Sequence, residues 1–175
     1  MKHESNAAEK RAVMQAADAM MAAARTAPKG KGLDRLETFF LEGEAKDAFT
    51  DNMRAYGKEI GMDFFSRDAS NIDKATAIVF FGAEDNVHGL NCGYCGKATC
   101  AEATKDGVRC AFAVTDLGIA IGSAVSVAAD LRIDNRVMYS AGRTALEHKM
   151  FSKNIKVAFA VPLSVSGKSV FFDRG

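Results

Sequence analysis

The chain is 175 residues long and 48% hydrophobic, enough to bury one substantial core and short enough for one compact domain spanning 1–175. Its 23 basic and 22 acidic residues leave a formal net charge of +1, so nothing in the totals argues for nucleic acid or an anionic membrane surface as a partner. The opening MKHESNAAEK lacks the apolar stretch of a secretory signal, and the longest apolar run, Leu117 to Ala129, falls short of the ~20 residues that span a bilayer. A cytoplasmic protein is expected, and in that reducing compartment four cysteines point to metal binding or redox chemistry rather than to disulfides.

In chain order, Asn6 with Glu9 three residues later suits a variant of the capping box, and Val13, Met14, Ala17, Met20, Met21 and Ala24 recur at helical spacing as far as Ala27. Pro28 and the glycines of APKGKG then stop the helix. RLETFFLEG reads as a strand, EAKDAFTDNMRAYGKEIG as an amphipathic helix closed by Gly61, and ATAIVFFGA as a short buried strand. EDNVHGL is a loop that delivers the chain to the cysteines. From Phe112 to Leu131 a largely buried helix is expected, with Gly118 and Gly122 one turn apart and Ala120, Ala124 and Ala128 at the same interval, a pattern that lets another backbone approach closely. RVMYS reads as a strand, RTALEHKM as a short helix, and IKVAFAV as a strand ended by Pro162. Strands alternating with helices imply a mixed α/β (α+β) layer architecture, with residues 88–110 as a small cysteine-rich module inserted in it.

Cys92, Cys95, Cys100 and Cys110 follow the spacing C-x2-C-x4-C-x9-C. A tight C-x2-C turn points two sulfurs into one pocket, and Gly93 and Gly96, each following a cysteine, let the backbone curl around a bound group. Four thiolates are a complete ligand set. Structural zinc usually draws on two C-x2-C pairs, and the second pair is absent; a cubane cluster accepts ligands supplied singly and fits better, although neither common ferredoxin run is present. Both metals stay open, as does a purely structural role in which the metal pins the loop.

CGYCGKATC resembles the C-G-x-C-G-x-x-x-C opening of the 4Fe-4S modules in corrinoid iron-sulfur proteins and Rnf-type electron-transport complexes. Together with AARTAPKGKGLD, FFSRDASNI, DLGIAIGSAVSVAADLRIDNRVMYSAG and VPLSVSGKSVFFDR, it makes most of the chain similar to an uncharacterised family of ferredoxin-domain-containing proteins. The order of an N-terminal helix, the Ala-Pro loop RTAPKGKG, a strand and a long small-residue helix after DLGIA is similar to FMN-dependent nitroreductases. That likeness implies a three-layer domain, an intertwined homodimer and an FMN at its interface, beside which a cluster would pass single electrons to the flavin or to a redox partner protein. The Arg-Arg-Ser-x-Arg start that grips the FMN phosphate in that family is absent, and Lys10 and Arg11 lie inside the first helix. Arg25, Lys29 and Lys31 are the candidates to meet the phosphate, set against their simpler role as a solvated helix end.

The remaining features are weaker. RIDNR, from Arg132 to Arg136, suits a hydrogen-bonded turn, and SVSGKSVFFDRG lacks the spacing of a phosphate loop and reads as a terminal segment that docks Phe171 and Phe172 on the core. With four thiols available, His88 is expected at the surface rather than as a ligand. His3 and His148 have no partner signature, and Glu42 and Glu44 look solvated, so hydrolytic chemistry has no foothold.

Overall fold

The computed structural model describes residues 2–172. Its framework is a sheet of four antiparallel strands, β1 (Leu36–Glu42), β2 (Ala77–Glu84), β3 (Asp134–Asn135) and β4 (Ile155–Ser164), in the order β1-β2-β4-β3. β2 is central, and its unbroken apolar sequence follows from burial on both faces. Because side chains alternate across a strand, Ala77, Val79, Phe81 and Ala83 enter one core and Ile78 and Phe80 the other.

The first core lies under α1 (Ser5–Thr26) and α5 (Ala111–Asp130). The second lies under α2 (Gly43–Glu59), α3 (Phe64–Asp73) and α6 (Tyr139–Glu147). Helices therefore cover both faces of the sheet in three layers, as expected for a mixed α/β chain. A short helix, α4 (Cys100–Lys105), stands outside these layers in the cysteine segment.

α1 and α5 pack along small residues. Val13, Ala16, Ala17, Met20 and Ala24 meet Leu117, Ala120, Ile121, Ala124 and Ala128 in one buried cluster, and Ser123 Oγ donates to the Ala23 carbonyl at 3.1 Å. The alanine interval of α5 thus serves the core, whereas Gly118 and Gly122 face outward with nothing beyond them. α5 is 20 residues long, longer than the apolar run suggested, and by length and composition alone it could cross a bilayer. Its inward stripe, from Ala113 to Ala128, is instead the lid of the first core.

Several sequence expectations are corrected. Asn6 does not cap α1: the helix starts one residue earlier, and Asn6 Oδ1 accepts only from the neighbouring Ala7 N–H. The stretch from Phe64 to Asp73, assigned no element, is the helix α3, which crosses α2 at Gly57, where a Cβ would lie 2.5 Å from that of Phe65. RVMYS is not a strand. Pairing stops at Asn135, Met138 makes a single bridge to Ala160, and Tyr139 already begins α6.

Pro162 does not end β4, which continues to Ser164. Ala160 exchanges both backbone bonds with Met138 on the side away from β2, and two residues on, the Pro162 nitrogen faces that same side. There β3 has already ended, so no ladder bond is lost.

Candidate functional site

β2 ends at Glu84, and the chain returns to regular structure only at α4. The Arg109 guanidinium pairs with Asp85, so the two ends of the cysteine segment are clasped together. Inside it the backbone turns sharply: Asn91, Gly93 and Gly96 have φ of 48°, 74° and 82°, a left-handed conformation that glycine adopts without steric cost. Gly96 N–H donates to the Gly93 carbonyl at 2.9 Å and closes the turn that carries Cys92 and Cys95. Asn91 ties this turn to α4 twice, its Oδ1 accepting from Cys100 N–H at 2.8 Å and its own N–H donating to Cys100 Sγ at 3.4 Å. Thr99 Oγ1 caps α4 by accepting from Glu102 N–H at 3.2 Å. Cys110 is the residue from which α5 starts.

All four cysteines are free thiols, with Cys92 exposed, Cys95 and Cys100 half-buried, and Cys110 buried. They line one small hollow together with Asn91, Gly93 and Lys97. About 10 Å³ of open space is left between them, and the outer wall is the exposed two-glycine turn rather than the core. Among the described residues no three His, Cys, Asp or Glu side chains come close enough to hold one ion. Zinc with Zn–S bonds of ~2.3 Å needs its sulfurs drawn to within ~3.8 Å of each other. Four thiols around one hollow, with a backbone N–H on one sulfur, are a donor set of the kind that ligates zinc or an iron-sulfur cluster.

Behind Cys110 lies a feature the sequence reading missed. His88, expected at the surface, is 4% exposed. Its Nδ1 is 3.6 Å from Cys110 Sγ, and its Nε2 is 2.9 Å from Asp116 Oδ2. Asp116, itself 6% exposed, also accepts from Gly30 N–H at 2.9 and 3.1 Å. One hydrogen-bonded line thus runs from the Cys110 sulfur through an imidazole and a carboxylate to the turn after α1. Gly30 has to lack a side chain, since a Cβ there would sit 2.9 Å from His88 Cδ2. In such a line the carboxylate fixes the ring and aims its other nitrogen at the sulfur. The signal was present in the sequence: Asp116 is an acid near the start of an apolar helix, one turn and a half after a cysteine.

Arg25, Lys29 and Lys31 surround the Gly30 turn and do not reach the cysteine hollow. The Arg25 guanidinium pairs with Asp34 and donates to the Leu36 carbonyl at 3.2 Å. Burial alone would raise the Asp34 pKa, but the Arg25 hydrogen bond, the Leu36 N–H and the charges of Arg25 and Lys29 outweigh it and hold this carboxyl below its ordinary value. Lys29 Nζ donates to the carbonyls of Ala24, Arg25 and Ala27 at 3.0, 2.7 and 2.8 Å, capping the end of α1. Lys31 Nζ donates to the His88 carbonyl at 3.1 Å. Each of the three braces the turn.

Elsewhere, Arg136 reaches the Phe171 carbonyl at 2.9 Å and lies over the Phe172 ring. Phe171 docks fully, but Phe172 is 59% exposed, contrary to expectation. Residues 173–175 of that terminal segment lie outside the described residues. Glu42 pairs with Lys10 at 3.1 Å, and His3 and His148 are exposed.

Comparison with known proteins places these observations. A nitroreductase from Lactococcus lactis, CinD, in complex with nicotinic acid, superposes with a TM-score of 0.62 at 14% identity over 91% of this chain and 84% of its own. A nitroreductase with bound FMN from Desulfitobacterium hafniense does so with a TM-score of 0.56 at 13% identity, over 88% of this chain and 78% of its own. At such identities the likeness is one of fold, and the fold is that of the nitroreductases. In sequence, an uncharacterized protein of Archaeoglobus fulgidus is 42% identical over 164 residues, covering 89% of this chain and 88% of that one. The family described as uncharacterized proteins containing a ferredoxin domain matches residues 106–174, a span that includes Cys110 but not the other three cysteines. With a relative this close along nearly its whole length, the chain belongs to that ferredoxin-domain family.

Proposed function

We propose that this protein is a redox protein in which Cys92, Cys95, Cys100 and Cys110 ligate a 4Fe-4S cluster that exchanges electrons with a bound flavin or a partner protein. The observation that carries the reading is the gathering of four free thiols around one hollow. A cluster of this kind supplies one-electron transfer when bound. The chain's part is to hold and tune it. Gly93 and Gly96 shape the turn, the Asn91 N–H donates to the Cys100 sulfur, and the His88 ring, fixed by Asp116, sits against the Cys110 sulfur. Hydrogen bonds to ligating sulfurs and the burial of Cys110 are the features by which a protein sets such a potential.

The flavin half of the proposal is supported by the nitroreductase fold and by a fold neighbour with bound FMN. Arg25, Lys29 and Lys31 would have to exchange their bonds to Asp34, the α1 carbonyls and the His88 carbonyl for a phosphate. A homodimer is proposed on the outward face of α5, where Val114, Gly118, Ile119 and Gly122 leave an apolar, small-residue strip exposed.

Anaerobic purification with iron, sulfide, zinc and flavin analysis tests the reading. About four irons and four sulfides per chain, with a brown colour bleached by dithionite, is the expected result. A colourless protein with one zinc would replace it by a non-catalytic protein with a structural metal. Light scattering that shows a monomer would remove the dimer.

A further inference from the structure

Apart from the cysteine hollow there is a larger cleft, with a volume of about 550 Å³, walled by α6, the start of β4 and Arg109. That volume is in the range of small-molecule sites and well above what a single inorganic ion needs. The α6 wall is held close to the strand at Gly142, where a Cβ would lie 2.0 Å from the Ala158 carbonyl oxygen. Tyr139 and Arg143, one turn apart, therefore stand on one stripe over the cleft.

Its charge is lopsided. Arg109, Arg143 and Lys156 contribute three cations against the carboxylate of Glu147 and that of Asp85, which pairs with Arg109. Arg109 is anchored from behind by Asp85. Arg143 Nε donates to the Tyr56 hydroxyl at 3.0 Å, which fixes the plane of the guanidinium. Lys156 is exposed and has no ion-pair partner among the described residues. Between these groups the floor is apolar, formed by the half-buried Val157 and Phe159, and the Tyr139 ring is 48% exposed at the edge.

We propose that this cleft binds a phosphorylated nucleotide, with the phosphate held by Arg143, Lys156 and Arg109 and the base laid on Val157 and Phe159 beside the Tyr139 ring. A planar guanidinium fork joined by a mobile ammonium is the combination that recognises phosphate. An aromatic edge over an aliphatic floor accepts a flat base. Glu147 is left to accept a hydrogen bond from a sugar hydroxyl. The site rests on its own residues and is independent of what the cysteines hold.

Calorimetric titration of the full chain with AMP tests it, with adenosine and inorganic phosphate as separate probes. AMP is expected to bind at least tenfold more tightly than either half. Arg143→Gln and Lys156→Gln are each expected to weaken AMP about tenfold, the loss of one charge-assisted contact, with circular dichroism unchanged. No binding of AMP at millimolar concentration, phosphate alone binding as tightly as AMP, or undiminished affinity in Lys156→Gln would each overturn the proposal. Lys156→Gln decides even if Arg143→Gln unfolds through loss of the Tyr56 bond, because the exposed Lys156 ammonium has no ion-pair partner among the described residues.

Discussion

The sheet core and the cysteine segment are built on opposite principles. Around β2, Phe80 stacks on Phe39 at 4.7 Å and meets Phe49 edge-on at 5.0 Å within a cluster of buried apolar side chains. From Asp85 to Cys110, only His88, Ala103 and Cys110 are buried, Leu90 and Tyr94 stand exposed, and the shape comes from turns, an N–H donor to sulfur and ion pairs such as Lys97 with Asp106 at 2.7 Å. Apolar burial is worth about 25 cal/mol per Å² and needs no ligand. A loop held by a few polar contacts, each netting roughly 1 kcal/mol, has far less to hold it. The contrast teaches that the fold and the site should fail separately.

The largest expected effect is on the core. Phe80→Ala should cost about 3–5 kcal/mol, read as a lowered midpoint in urea, while the folded fraction keeps its full metal content. Loss of metal from the folded fraction would show that the sheet and the site are coupled. Cys110→Ser is the converse: metal content should fall sharply, with a stability loss of roughly 1–2 kcal/mol because only one buried atom changes. Full retention of metal would remove Cys110 from the ligand set and leave His88, now known to be buried behind it, as the candidate in its place.

The smaller effects lie at the seam between the two regions. His88→Phe keeps an aromatic ring but removes the nitrogen that faces the Cys110 sulfur, so the reduction potential of the proposed cluster should shift. About 1 kcal/mol for one hydrogen bond corresponds to roughly 40 mV for a one-electron couple. An unchanged potential in protein with full iron content would reduce His88 to packing.

The same seam shows what the sequence could and could not reveal. β2 and α5 were legible because burial on both faces of a strand, or a run of alanines one turn apart, leaves a local pattern. The four cysteines were legible as a set because their spacing and the glycines beside them are local too. His88 was misread because what marks it is distant in sequence: its partners Cys110 and Asp116 lie 22 and 28 residues away, and Gly30, which packs against its ring, comes from the turn after α1. α3 went unassigned because its helix is only 10 residues long, without a side-chain cap, and its place is set by the close crossing at Gly57. RVMYS fails as a strand because Met138 bridges β4 alone before the chain turns into α6, and the two-residue β3 lies just before it. In each case the deciding contact is between segments that the sequence keeps apart.

The least effect is expected where the loop before β4 meets the edge strand. Glu37 on β1 accepts from Ser152 N–H at 2.7 Å, Ser152 Oγ at 3.0 Å and Lys153 N–H at 2.8 Å, a clamp on the loop between α6 and β4. Burial would raise its pKa, but the two backbone donors, the Ser152 hydroxyl and the Lys153 charge together lower it below 4.5. A carboxyl whose pKa is lower folded than unfolded adds stability that is present at neutral pH and lost as pH falls through the folded value. Glu37→Gln should therefore cost about 1 kcal/mol at pH 7, a modest figure because the group is half exposed. The difference between the two proteins in urea denaturation should close as pH falls below about 4.5 toward the folded value. A gap that stayed constant down to pH 3 would mean that the amide loses packing or geometry rather than charge, and that the clamp does not depend on the ionised carboxylate.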